Sequence, residues 1–304
     1  MVLNLVRELA RLDQANDYFL YSKLDFPLPI DHPRWQKRPQ QKRKFQPLSG
    51  YFLTSVSKLI AEDRIEVFWE TNHVLPFGLP RRLGKVLSIH DLIWRIYPKT
   101  VERKNYYVQR LFAEPSIRRA DRLVCNSQST LRDMTRILGV PPEKAIVIYP
   151  GVSPDYWPRD PQSSAQYIAR KYQTCQNYIL TVGTVEPRKN MVGLVEAVRI
   201  LRARGHFSMQ LLIAGGSGWK NSSIYESVER AGLTEREIKF LGYVPEEDLP
   251  TLYSGARTFV LPSLYEGFGI PLIEAMACGV PVVASDVSSI PEVVQGAAVL
   301  VPPT

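Results

Sequence analysis

Two glutamates, Glu266 and Glu274, stand with seven residues between them in Tyr265-Glu266-Gly267-Phe268-Gly269-Ile270-Pro271-Leu272-Ile273-Glu274. A β-branched run ending at Leu261 predicts a strand that feeds this turn, and Pro271 suits the first turn of a following helix. Such a turn leaves backbone N–H groups bare at a helix N-terminus. Gly267 and Gly269 let a ligand approach the backbone closely, which favours a phosphate or another anion. Carboxylates repel phosphate but accept hydrogen bonds from hydroxyls. A ligand that satisfies both halves is phosphorylated and polyhydroxylated, as a sugar nucleotide is.

The basic counterpart lies upstream in Thr184-Val185-Glu186-Pro187-Arg188-Lys189-Asn190, after a strand expected over Tyr178 to Val182. Arg188 and Lys189 are expected to project into a crevice at the strand end and neutralise a diphosphate; the alternative is that they decorate a surface turn. A helix N-terminus alone contributes roughly 0.3 to 2 kcal/mol, and a charge-assisted hydrogen bond roughly 1.5 to 3 kcal/mol. Several together reach the roughly −8 kcal/mol of micromolar binding.

The elements that must hold these segments follow a strand–helix rhythm. Strands are expected at Tyr178 to Val182, Met209 to Ala214, Ile238 to Leu241, Thr258 to Leu261, Pro281 to Ser285 and Ala298 to Val301. Helices are expected between them at Met191 to Arg204, Asn221 to Ala231, Glu246 to Ser254, Pro271 to Ala277 and Ser289 to Val294. The first half repeats the theme less cleanly, with strands at Arg64 to Trp69, Val86 to His90, Arg122 to Asn126 and Ile146 to Tyr149, and helices near Tyr51 to Ala61 and Ser127 to Leu138. Alternation of this kind implies parallel sheets covered on both faces. Pro150 to Pro161, rich in Pro, Asp and Ser, suits a linker between two α/β domains whose ligands bind at strand C-terminal ends.

A length of 304 residues fits two such domains, and 45% hydrophobic against 22% charged residues excludes disordered and coiled-coil classes. The net charge of +8 is unevenly spread: residues 1–150 carry 25 Lys and Arg against 15 Asp and Glu, and residues 151–304 carry 13 against 15. Arg34, Lys37, Arg38, Lys42, Arg43 and Lys44 form the densest cluster and read as an exposed loop. That loop is either simply solvated or an electropositive face for anionic lipid headgroups, worth about 1 kcal/mol per basic residue. Nucleic acid is set aside, because no recognition motif accompanies the cluster. No apolar run approaches a membrane span, and Met1 to Leu12 has helical periodicity rather than the layout of a secretion signal. Cys125, Cys175 and Cys278 are far apart, lack metal-site spacing and read as small buried hydrophobes in a reduced, cytoplasmic setting, peripheral to the inner membrane face if the basic surface binds lipid.

Seven blocks resemble, in order, the family-4 retaining glycosyltransferases of GT-B fold. They are Ser88-Ile89-His90-Asp91, Val124-Cys125-Asn126-Ser127, Val147 to Val152, Thr181-Val182-Gly183 with Glu186 to Asn190, Ile213-Ala214-Gly215-Gly216, Phe240-Leu241-Gly242-Tyr243-Val244 and Glu266 to Glu274. The resemblance implies two Rossmann-like domains facing a central cleft, an acceptor-side domain over 1–152 and a nucleotide-sugar domain over 153–304. It implies that Glu266 faces donor sugar hydroxyls and Glu274 the ribose, with Gly183, Gly216, Gly267, Phe268 and Gly269 lining sugar or phosphate. Arg188 and Lys189 would stabilise the leaving diphosphate, Tyr243 and Val244 would border the base, and His90 would stand beside donor sugar and acceptor. It further implies hexose transfer, mannose or glucose, with retention to a glycan or lipid-linked acceptor, with no metal or other cofactor; Glu246-Glu247-Asp248 reads as an acidic helix start.

Relatives usually begin with a strand and a Gly-rich loop, whereas this chain begins at what resembles the following helix, and it stops at Val301-Pro302-Pro303-Thr304 where relatives continue through further helices. Thr184 stands where many relatives place an arginine. A catalytically incomplete sugar-nucleotide-binding or scaffold protein is therefore the alternative expectation.

Overall fold

The computed structural model describes residues 2–22, 25–28, 30–39 and 55–304. In chain order the elements are α1 (Val2–Leu12), β1 (Tyr18–Ser22), β2 (Trp35–Pro39), α2 (Val56–Glu62), β3 (Val67–Glu70), β4 (Gly84–Ile89), α3 (Ile93–Ile96), α4 (Arg103–Val108), α5 (Glu114–Arg119), β5 (Arg122–Cys125), α6 (Gln128–Leu138) and β6 (Ala145–Val147). There follow α7 (Pro161–Tyr172), β7 (Tyr178–Val182), α8 (Met191–Ala203), β8 (Gln210–Ala214), α9 (Ser222–Arg230), β9 (Ile238–Gly242), α10 (Leu249–Ser254), β10 (Thr258–Leu261), α11 (Ile270–Ala277), β11 (Val282–Ser285), α12 (Ile290–Val294) and β12 (Val299–Val301). Two compact units result. One comprises Met1–Ile89, Gln109–Val124 and Pro141–Ile146; the other comprises His90–Val108, Cys125–Val140 and Val147–Thr304.

The first unit holds a four-stranded sheet in the order β3-β4-β5-β6 and a separate parallel pair, β1 and β2. That pair corrects the expectation of a basic loop, because Arg34 directly precedes a strand and Lys37 and Arg38 lie within it. The reason is packing: Trp35 stacks on Tyr18 with ring centroids 4.1 Å apart and joins Val6 and Ala10 in a small apolar cluster. The basic side chains are locally compensated, Arg34 by Asp17 at 3.4 Å, Lys37 by Asp25 at 2.6 Å and Arg38 by Asp63 at 3.0 Å. Lys42, Arg43, Lys44 and residues 51–54 of the expected helix lie outside the described residues.

The second unit is built on one six-stranded sheet, ordered β12-β11-β10-β7-β8-β9, with parallel pairing throughout. Counted from β7 as first, this is the Rossmann order 3-2-1-4-5-6, whose switch point falls between the first and fourth strands, here β7 and β10. β8 is buried along its whole length, and its alternate residues serve opposite faces as strand geometry requires. Leu211 and Ile213 pack with α8 and α9, while Leu212 and Ala214 pack with α7, α10 and α11.

Helix α7 was not anticipated beyond the linker. It starts where Asp160 accepts a hydrogen bond from the Ser163 N–H at 2.8 Å with Pro161 in first position. Nor does the acidic run start a helix at Glu246: Asp248 caps no N–H of α10. Buried instead, it accepts hydrogen bonds from Lys171 Nζ at 2.9 Å, Tyr172 Oη at 2.5 Å and Tyr167 Oη at 3.2 Å, and so ties α7 to α10. Cys125 and Cys278 are buried as expected, but Cys175 is exposed, in the turn between α7 and β7.

Replacing Asp248 by Ala is expected to destabilise the second unit by about 2 kcal/mol or more, since hydrogen bonds to a charged group are worth about 1.5 to 3 kcal/mol. Urea denaturation followed by tryptophan fluorescence measures it, and a loss no larger than that of an exposed alanine substitution would show that the tie is not structural.

Candidate active site

The loops leaving β7 and β10, neighbours at the switch point, carry the sequence-predicted residues and lock onto one another. Leu264 donates its N–H to the Arg188 carbonyl at 2.9 Å, and Arg188 Nη1 donates to the Tyr265 carbonyl at 3.0 Å. At the centre lies Glu266, buried, its Oε1 accepting from Lys189 Nζ at 2.6 Å and from Ser263 Oγ at 2.6 Å, its Oε2 from Arg188 Nη1 at 2.7 Å. Glu186, also buried, accepts from Arg188 Nε at 3.0 Å and Nη2 at 2.6 Å, both on Oε1. Arg188 and Lys189 thus do not project as uncompensated cations; they are the positive half of a buried four-charge network. Pro187 begins the single 3₁₀ turn that delivers both of them.

Burial opposes ionisation of Glu266, but the charges of Lys189 and Arg188 outweigh it and hold the carboxyl at about 2. For Arg188, burial pulls the other way, and Glu266, Glu186 and Asp91 together raise it above the ordinary guanidinium value. Glu274 behaves oppositely to Glu266. Burial raises its pKa, only partly offset by hydrogen bonds from Tyr253 and Tyr156, the former at 2.8 Å to Oε2. The two glutamates occupy separate surroundings: Glu266 among cations, Glu274 on α11 among tyrosines.

The glycines permit contacts that a side chain would block. A Cβ on Gly215 would lie 2.0 Å from the Gly183 carbonyl oxygen, and one on Gly267 would lie 1.9 Å from the His90 carbonyl oxygen. His90, which follows β4, is therefore brought against the turn through its backbone. Thr130 Oγ1 contacts both carbonyls of that pair, His90 at 3.4 Å and Gly267 at 3.3 Å. Gly269 takes a φ of +95° as the residue before α11 and has no side chain to cap it; Pro271 has no N–H to offer, and the Leu272 N–H donates to the Gly269 carbonyl at 2.9 Å. Gly183 borders the Lys189 stem, and Gly216 accepts from the Val185 N–H at 3.0 Å.

Tyr243 and Val244 part company: Tyr243 is exposed, while Val244 joins the apolar core. Phe268 is buried, with its ring 6.0 Å from that of Tyr149. Sequence reasoning missed the braces. Ser288 Oγ accepts from the Glu266 N–H at 2.9 Å, and Ser289 Oγ lies 3.0 Å from both the Glu266 and Phe268 carbonyls, its one proton shared between them. Serines carry no distinctive spacing, so only Glu186, inside a motif already singled out, left a usable signal. Among the described residues no group of three or more His, Cys, Asp or Glu side chains could hold a metal ion, and no helix is long and apolar enough to cross a membrane.

A family model described as "Glycosyltransferase Family 4" matches residues 1–156, and one described as "Glycosyl transferases group 1" matches residues 168–304. Among curated proteins, O-antigen chain mannosyltransferase B of Escherichia coli is 39% identical over 229 residues, covering 75% of this chain and 60% of that protein. The chain thus spans less than two thirds of that relative's length. O-antigen chain mannosyltransferase RfbU of Salmonella typhimurium is 27% identical over 310 residues, covering 99% of this chain and 80% of that protein. Among solved structures, sucrose-phosphate synthase from Thermosynechococcus elongatus superposes with a TM-score of 0.72 at 22% identity, covering 100% of this chain and 79% of that one.

Glu266 should carry acid sensitivity. Its folded value is depressed from the ordinary 4.5 to about 2, so its contribution is present above 4.5 and is lost as pH falls toward 2. Glu266→Gln is expected to lower stability at neutral pH by roughly 3 to 5 kcal/mol, because the buried Lys189 loses its anion and Arg188 keeps only Glu186, and to flatten the acid limb of the urea-midpoint profile. An acid limb as steep as in the unmodified protein would assign the sensitivity to other carboxylates.

Proposed function

The chain belongs to the family 4 glycosyltransferases and has their GT-B fold, and from that premise we propose that it moves a hexose, mannose first among candidates, from a nucleoside diphosphate sugar to a polysaccharide or lipid-linked acceptor with retention of configuration. The observation that carries this reading is the meeting of the glycine turn before α11 with the Arg188–Lys189–Glu266 network at the Rossmann switch point, where such sheets bind nucleotides. The O-antigen mannosyltransferases among the relatives favour mannose and a polymer acceptor.

In this mechanism the amides at Gly267 to Gly269 meet the donor, and Lys189 and Arg188 face the diphosphate as the glycosidic bond breaks and charge accumulates on the leaving oxygen. Lys189 has three donors and gives one to Glu266, so it can serve carboxylate and phosphate together. Glu266 accepts from a donor sugar hydroxyl. Glu274, presented by α11 between Tyr253 and Tyr156, accepts from the ribose hydroxyls. Gly183 and Gly216 keep the floor of the site open to the backbone, Phe268 contributes its turn, Tyr243 and the Val244 backbone border the base, and His90 stands beside the transferred sugar. No step calls for a metal. Residues 1–152 serve the acceptor and residues 153–304 the donor. The excess of basic residues in 1–150 holds the protein peripherally at an anionic membrane surface, the inner face of the cytoplasmic membrane.

A thermal-shift screen is expected to show stabilisation by GDP-mannose or another nucleoside diphosphate sugar, abolished in Glu274→Ala. No shift with any nucleotide sugar would overturn the donor site. Sedimentation with anionic vesicles at low salt, weakening as salt rises, is expected for the basic half, and equal binding to neutral vesicles would refute its electrostatic origin.

A further inference from the structure

A surface depression lined by none of the residues assigned above to the donor lies in the same unit. It is wide and open to solvent, with a volume of about 650 Å³, and it lies where the segment before α7, α7 itself and the start of α10 meet. Trp157 lines it while 56% exposed, and Tyr167 lines it while 46% exposed. The two open rings offer flat apolar faces to a ligand. The surroundings of Trp157 hold it in place: the Arg159 guanidinium sits 5.5 Å from the Trp157 ring centroid, and Arg159 is anchored through its N–H to Ser254 Oγ at 3.2 Å and through Nη1 to Thr251 Oγ1. Arg159 Nε is buried without a hydrogen-bond partner among the described residues.

Charge selects the ligand class. Arg159, Asp160 and Glu247 share the lining, with one Asp160 oxygen taken by the Ser163 N–H, while Asp248 is already paired with Lys171 at 2.7 Å. The balance is slightly negative, which disfavours phosphates and nucleotides. Carboxylates that accept from hydroxyls, an arginine that donates, and flat aromatic faces suit a neutral sugar ring. We propose that this depression is a subsite for neutral oligosaccharide that holds a distal part of the acceptor or product chain. The source of that chain rests on the polymer-forming reading above; the sugar-binding chemistry does not.

The probe is mannohexaose, titrated by isothermal calorimetry into the full chain and into Trp157→Ala and Trp157→Phe. The unmodified protein is expected to bind, Trp157→Ala to bind at least about tenfold more weakly, a shift of about 1.4 kcal/mol, and Trp157→Phe to retain most of the affinity through its remaining ring. Stabilisation by GDP-mannose is expected to be unchanged in all three. Absence of mannohexaose binding to the unmodified protein, or equal binding to Trp157→Ala, would overturn the subsite. Loss of the GDP-mannose response in the unmodified protein, with mannohexaose binding intact, would sink the donor reading and leave the subsite standing.

Discussion

Four ionised side chains, Glu186, Arg188, Lys189 and Glu266, share a space from which water is largely excluded, and the second unit is organised around keeping them together. Each buried ion forfeits several kcal/mol of hydration, recovered only with short, well-directed hydrogen bonds. Those bonds run at 2.6 to 3.0 Å and join two chain segments nearly eighty residues apart in sequence. The turn at 266 to 269 and the turn at 187 to 189 therefore cannot shift independently. Any movement of one exposes an uncompensated charge on the other.

The sheet makes this meeting possible. A Rossmann strand order sets the first and fourth strands side by side, so the loops leaving β7 and β10 emerge at the same edge in parallel register, Ile179 beside Thr258 and Leu180 beside Phe259. The loop after β11, the next strand outward, then reaches in with Ser288 and Ser289 to hold the Glu266 backbone. Fixed by three loops on adjacent strands, the carboxylate keeps its position although no helix or strand contains it.

How much of this was legible in the sequence depended on whether the determinant was local. The β7 and β10 strands are found at the expected residues, and α11 within one residue of them, because periodicity and the Pro271 signal are short-range. Trp35 to Pro39 carries only loop signals in sequence, because its strand rests on distant partners, the Tyr18 ring and the Asp63 carboxylate. In the site, residue types pointed to Arg188, Lys189 and Glu266 as charged ligand contacts. Their mutual neutralisation was not legible, since it follows from which loops the topology sets together. Val244 illustrates the same limit, a motif position whose side chain is spent on the core.

Their surroundings shift the two glutamates of one motif in opposite directions, Glu266 down and Glu274 up, and that division constrains what each can do. A carboxylate offers about four lone-pair sites. On Glu266 three are taken, two on Oε1 by Lys189 and Ser263 and one on Oε2 by Arg188, leaving room for about one further donor. Held ionised by two cations, it is suited to orienting a single hydroxyl and poorly suited to surrendering or storing a proton. Glu274, raised by burial and supported by tyrosine hydroxyls rather than cations, has more acceptor capacity to offer a diol. Seven intervening residues, a turn followed by the first turns of α11, are what separate the two surroundings. Shortening that interval would bring the second carboxylate toward the first one's cations, and the division of roles would collapse into a like-charge pair.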